Sequence, residues 1–149
     1  MIPNLKARKK ARQLLMQALY RQHIHHVEWN SVQQQFHQMN DMAKCDVIYF
    51  DTIMQNFSKH LTEVNSTFEP YLDRKTSELN PIEHALIQLG TYELLYCLEI
   101  PYRVVINEAI ALAKEYGSED GHKYVNGILN KVARQIRTSE EFTDKKEQN

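Results

Sequence analysis

Apolar residues return every three or four positions along almost the whole chain, and only four glycines and four prolines interrupt its 149 residues. Tight turns consume Gly, Pro and Asn where other side chains are strained, so an all-β or doubly wound α/β fold would need more of them. The spacing predicts an all-α fold of six to seven helices and no strand. The run VVIN at 104–107 has β character taken alone, but it continues into a helical period. The first helix opens at Pro3-Asn4 and runs through Val27, with Leu5, Ala11, Leu14, Leu15, Ala18 and Leu19 on one stripe. Asn30 or Ser31 caps a second that carries Val32, Phe36 and Met39, and Val47, Phe50, Ile53, Phe57, Leu61 and Val64 mark a third.

Pro70 ends that period and leaves Tyr71-Leu72 to a short extra helix or turn. Asn80, Pro81 and Glu83 then spell a helix start: a cap, a proline at the first helical position, and a carboxylate able to return to the cap N–H. That helix is expected to continue to Pro101. Tyr102 to Tyr116 gives the next, with Gly117 as its left-handed terminator, and Ser118 caps the last, which carries Val125, Ile128, Leu129, Val132 and Ile136. Residues 1–137 make one domain, and 138–149 (TSEEFTDKKEQN) read as a charged, unpacked tail. A length of 149 residues suffices for one core without disulfide support. Cys45 and Cys97, each inside an apolar-periodic segment, read as free buried thiols. No secretory leader and no membrane-length apolar stretch is visible, which predicts a cytoplasmic protein.

Charge is distributed unevenly. Residues 1–27 hold Lys6, Arg8, Lys9, Lys10, Arg12 and Arg21 with no Asp or Glu, although the whole chain carries −1. A basic end on a near-neutral chain points to an anionic partner. Arg8, Lys9 and Arg12 fall within one helical turn and are expected to be exposed, offering donors to phosphates. Tyr20 lies further along that helix, while Lys123 and Tyr124 open the last one beside Asp120. Cations interleaved with tyrosines suit single-stranded RNA, whose bases stack on aromatic faces.

Catalytic motifs are missing: there is no Gly-rich phosphate loop, G-x-S-x-G, H-E-x-x-H or C-x-x-C. His23 and His26 share a helical face but have no third ligand at matching spacing, so neither a metal nor another cofactor is expected. Glu108, Glu115, Glu119 and Asp120 read as solvated carboxylates.

Three stretches, ARKKARQLLMQALY, NPIEHALIQLGTYELLY and IPYRVVINEAIALAKEYGSEDGHKYVNGILNKVA, together resemble the NusB family of transcription antitermination factors. The third is the most specific, through Pro101-Tyr102, Asn107-Glu108-Ala109, Leu112-Ala113-Lys114 and Lys123-Tyr124-Val125-Asn126-Gly127. The resemblance covers residues 5 to about 137 in order. It implies two packed helical bundles and a non-enzymatic adaptor that binds boxA RNA with NusE, a ribosomal small-subunit protein, within an RNA polymerase antitermination complex on ribosomal RNA operons. Carried over by position, it assigns Arg8, Lys9, Lys10, Arg12, Asp120 and Tyr124 to RNA, where Lys123 joins them as the cation beside Tyr124, and Tyr20 and Glu83 to NusE. The family often has phenylalanine where Tyr124 stands, and more arginine where Lys9 and Lys10 stand. Lysine supplies a point charge in place of a planar fork. A homodimer of the free chain is compatible with the sequence.

Two other readings compete. A NusB-like domain also occurs ahead of a ribosomal RNA cytosine methyltransferase, but the helical pattern uses the whole length and leaves no room for a cofactor-binding sheet. A helical protein-interaction module, with its basic helix merely solvated, is the other.

Overall fold

The computed structural model describes residues 4–140. Six α-helices form: α1 (Leu5–His25), α2 (Trp29–Met39), α3 (Val47–Phe68), α4 (Pro81–Tyr96), α5 (Tyr102–Tyr116) and α6 (Gly121–Ile136). Three 3-10 turns, Met42–Lys44, Glu69–Tyr71 and Thr76–Glu78, lie in the connections, and no strand occurs among the described residues. No described helix is long and apolar enough to cross a membrane.

Helices α1–α3 form one bundle and α4–α6 the other, with α4 in contact with α1, α3, α5 and α6. Sequence explains that central place. Most surface helices carry one apolar stripe, but α4 reads PIEHALIQLGTYELLY with little polar face, and Glu83 to Leu94 are buried without a break. Contacts between His23 and His84 and between Arg12 and Glu93 make α1 antiparallel to α4. Helix α6 runs parallel to α4 and crosses it at Gly90, where a Cβ would lie 2.7 Å from Leu129 Cδ1. A methyl there would require the Leu129 side chain to shift out of its place between the two helices.

Several helix ends depart from the sequence reading. Helix α1 stops at His25 because His26 is left-handed (φ 53°), its N–H reaching Gln22 O at 2.8 Å. Neither Asn30 nor Ser31 caps α2. Glu28 does, accepting from both of their N–H groups at 3.1 and 3.2 Å. Helix α4 ends at Tyr96, short of Pro101, and leaves Leu98 exposed in the turn that follows. Gly117 is not left-handed (φ −89°), and α6 begins after Asp120 with no side-chain cap from Ser118.

Arg137 closes the other end of the second bundle. Its buried guanidinium donates to the carbonyls of Leu94 (2.7 Å), Ile100 (2.9 Å), Glu93 and Cys97 (both 3.2 Å), tying the last turn of α4 to the turn that follows it. Glu140 accepts from Arg137 at 3.0 Å and from the Tyr102 N–H at 3.2 Å, so packing extends past 137 to residue 140. The rest of the expected tail, 141–149, lies outside the described residues.

Candidate nucleic-acid interface

The basic run of α1 divides into three kinds of environment. Arg12 is the clearest departure from expectation: it is 4% exposed and points inward. Its Nε donates to Glu93 Oε2 at 2.9 Å, and Glu108 lies 3.8 Å from its other end. Tyr49 donates its hydroxyl to the same Glu93 carboxylate and lies near Cys97 Sγ at 3.9 Å. Burial pulls the Arg12 pKa down, but Glu93, the Tyr49 hydroxyl and Glu108 together hold it above its ordinary value. Burial, then Glu93, pushes Tyr49 well above the usual phenol range and Cys97 up to about 11. Arg12 is therefore a permanent charge holding α1, α3 and α4 together.

Arg8 and Lys9 form a second group. Arg8 Nε meets Asp46 at 3.0 Å with its guanidinium 3.8 Å over the Tyr49 ring, and Lys9 Nζ donates to both Glu108 oxygens at 2.8 and 3.0 Å. Glu108 is thus a partner, not a solvated carboxylate. Lys9 remains largely exposed, so an incoming phosphate can compete with Glu108 for it.

Lys10 belongs to the third group, with Lys6 and Lys44. These three line a cavity of about 760 Å³ with Asn4, Ala7, Asn40, Asp41 and Ala43, where α1 begins and α2 ends. None of the three makes an ion pair with a described carboxylate. Lys44 carried no signal in the sequence; a single lysine in a short turn becomes part of a basic face only because α1 and α3 are brought together by Asp46 N–H to Ala7 O at 3.0 Å.

At the start of α6, Asp120 and Lys123 are exposed and pair loosely at 3.4 Å. Tyr124 is half-buried. Its hydroxyl donates to Asp73 at 3.2 Å, and the Arg74 guanidinium sits 4.6 Å over its ring. Arg74 also donates to Asp73 at 2.7 Å, and that bond before any other cause holds the Asp73 carboxyl below its usual range. The loop after α3 thus supplies a cation to the aromatic face that α6 presents, a pairing that no periodicity foretells. Arg8, Lys9 and Lys10 near one end of α4 and Tyr124 near the other are not brought together.

Tyr20 and Glu83 have different fates. Tyr20 is half-buried, one turn before His23, whose ring meets His84 edge-on at 4.8 Å. Glu83 is 6% exposed and does not return to its own cap, although Asn80 caps α4 as expected, at 2.9 and 3.2 Å. Its carboxylate instead accepts from Ser118 N–H at 2.8 Å and Ser118 Oγ at 2.6 Å. Gly121 makes room for it, since a Cβ there would lie 1.9 Å from Glu83 Oε2. Among the described residues no group of three or more His, Cys, Asp and Glu side chains could hold a metal ion.

The sequence model of the NusB family matches residues 6–134. Among curated relatives, the transcription antitermination protein NusB of Marinobacter nauticus is 40% identical over 138 residues, covering 93% of this chain and 87% of that protein. NusB of Pseudomonas syringae pv. tomato is 45% identical over 133 residues, covering 89% and 81%. Of solved structures, T. maritima NusB superposes with a TM-score of 0.76 at 26% identity, covering 91% of this chain and 94% of that one. A crystal structure of the antitermination factors NusB and NusE in complex with dsRNA shares the fold, with a TM-score of 0.77 at 23% identity over 89% and 99%.

Proposed function

The chain belongs to the NusB family of transcription antitermination proteins, and we propose that it works as a non-enzymatic adaptor that binds boxA RNA together with a NusE-type ribosomal protein. In this reading the complex acts with RNA polymerase on ribosomal RNA operons, and the RNA-binding domain spans residues 1–137. The observation that carries the RNA assignment is the cluster of Lys6, Lys10 and Lys44: three cations without a described carboxylate partner, around one cavity, on a chain of net charge −1. Lys9 joins them by exchanging Glu108 for phosphate. Lys123 and Tyr124, beside Asp120, form the second contact, and Tyr124 is suited to stacking because one face already receives a cation. The relative crystallised with NusE and dsRNA supports both partner classes.

Arg8 and Arg12 enter this reading differently. Arg8 contributes through an edge left accessible beside Asp46, whereas Arg12 acts by holding α1 in place. Tyr20 is proposed for NusE. Glu83 shapes that surface by fixing Ser118 and the start of α6, and does not itself reach out.

Fluorescence anisotropy with a boxA-like single-stranded RNA tests the reading. Binding should tighten when NusE is added. Lys6→Ala, Lys10→Ala and Lys44→Ala should each flatten the log–log salt dependence by about 0.7, the value of one phosphate contact on a single strand. Binding that neither responds to NusE nor changes slope in any of the three would return the chain to a protein-interaction module.

A further inference from the structure

Gly127 stands in the interior of α6, which runs unbroken from Gly121 to Ile136. Glycine is the costliest residue after proline at such a position, so its presence calls for a cause. The molecule supplies none. Gly127 does not have a positive φ, and no described atom would come within 4 Å of a Cβ built there, in contrast to Gly90, Gly117 and Gly121, which are each crowded by a named neighbour. The missing side chain leaves bare backbone exposed on the outer face of the helix.

Helical spacing puts Lys123 and Tyr124 one turn before Gly127 and Asn130 and Lys131 one turn after it. Lys123 and Lys131 are exposed, and the two carboxylates beside the face are already engaged, Asp120 with Lys123 and Asp73 with Arg74 and the Tyr124 hydroxyl. A protein contact needs apolar or aromatic anchors. None of the exposed large aliphatic side chains, which are Leu5, Ile24, Met39, Ile48, Leu98 and Val104, lies on α6. A cationic strip with one stacking ring and a smooth gap in the middle instead complements a ribose–phosphate chain. The direction is also right: α6 runs parallel to α4, leading from Tyr124 toward the end of the molecule where α1 contributes Lys6 and Lys10.

We infer that Gly127 is a point of close approach for single-stranded RNA, its bare backbone letting the ribose–phosphate chain lie against α6 between Tyr124 and Lys131. The inference rests on the RNA-binding reading above and extends it along the helix.

Gly127→Ala in the full chain tests it, because the same substitution should help the fold and harm the ligand. Its Tm should rise by about 2–4 °C as helix propensity improves. Affinity for a fluorescein-labelled boxA-like RNA in the presence of NusE should fall about tenfold, the effect of one methyl forced into a packed contact. The salt slope should stay unchanged, since no charge is removed. A raised Tm with unaltered RNA affinity, while Tyr124→Ala and Lys10→Ala still weaken binding, overturns the inference and leaves the RNA reading standing. Loss of NusE binding with RNA binding intact would assign this face to the protein partner and equally overturn it. If neither Tyr124→Ala nor Lys10→Ala affects RNA, it is the underlying reading that has failed.

Discussion

Arg12 and Lys10 lie two positions apart on one helix, yet their chemistry differs because one turns inward to Glu93 and the other outward to a cavity. Removing one partner of a buried ion pair strands the other's charge, so Arg12→Ala should cost about 3–5 kcal/mol in a urea titration. Arg12→Lys should recover little of it, since a point charge cannot replace the guanidinium between Glu93 and Glu108. A loss below about 1 kcal/mol for Arg12→Ala would place this residue on the surface after all. His84 offers a second check at this scale. It is 4% exposed with no hydrogen-bond partner for Nε2, and burial first, His23 second, lowers its pKa from 6.5 to about 4. The unfolded chain therefore binds this proton more readily than the folded one. Stability should be full above pH 6.5 and decline as pH falls toward 4, by up to about 3 kcal/mol from this group. A His84→Gln variant should show a shallower acid limb in thermal melts between those values. An acid limb as steep as that of the parent protein would assign the loss to other groups.

At the scale of elements, the start of α4 was legible because Asn80-Pro81 can do little else: proline fixes the backbone and asparagine accepts the first free N–H groups. The role of Glu83 was not. Local spacing places its carboxylate near its own cap, and only the arrival of the α5–α6 connection, 35 residues later in sequence, offers the stronger pair of donors in Ser118. The same limit hid Arg137 as the closing residue of α4 and Arg74 as the cation over Tyr124, since periodicity tells which face of a helix is buried but not which loop will meet it. The Glu83 clasp predicts a particular non-additivity. Gly121→Ala forces a methyl into the carboxylate and should destabilise the protein by about 1–3 kcal/mol. In a Glu83→Ala background the methyl has room, so the double variant should be clearly more stable than the two single losses added together. Strict additivity in denaturant titrations would mean that Gly121 is needed for some reason other than making room for Glu83.

For the whole molecule, six to seven helices and their apolar faces follow from spacing, and the stretch from Pro70 to Asn80 marks where two helical halves can part, whereas the packing of each half as a bundle came from resemblance, because nothing in a helical period states which helices share a core. The structure supplies the missing physical reason in α4, whose buried run from Glu83 to Leu94 serves both bundles at once. A helix buried on every side cannot remain stable when either bundle departs, so neither half should survive alone. The chain carries its own reporter for this: its one tryptophan, Trp29, lies at the start of α2 with its ring 5.5 Å from Phe57 of α3, and so reports on the first bundle where it packs toward α4. Far-UV circular dichroism senses all six helices. Urea unfolding followed by Trp29 fluorescence and by ellipticity should therefore give one midpoint and one slope, within error. A tryptophan transition at lower urea, with half or more of the helical signal still in place, would show α5 and α6 holding α4 without the first bundle. In that case Arg12 and Glu93 would couple the bundles too weakly to make them one folding unit.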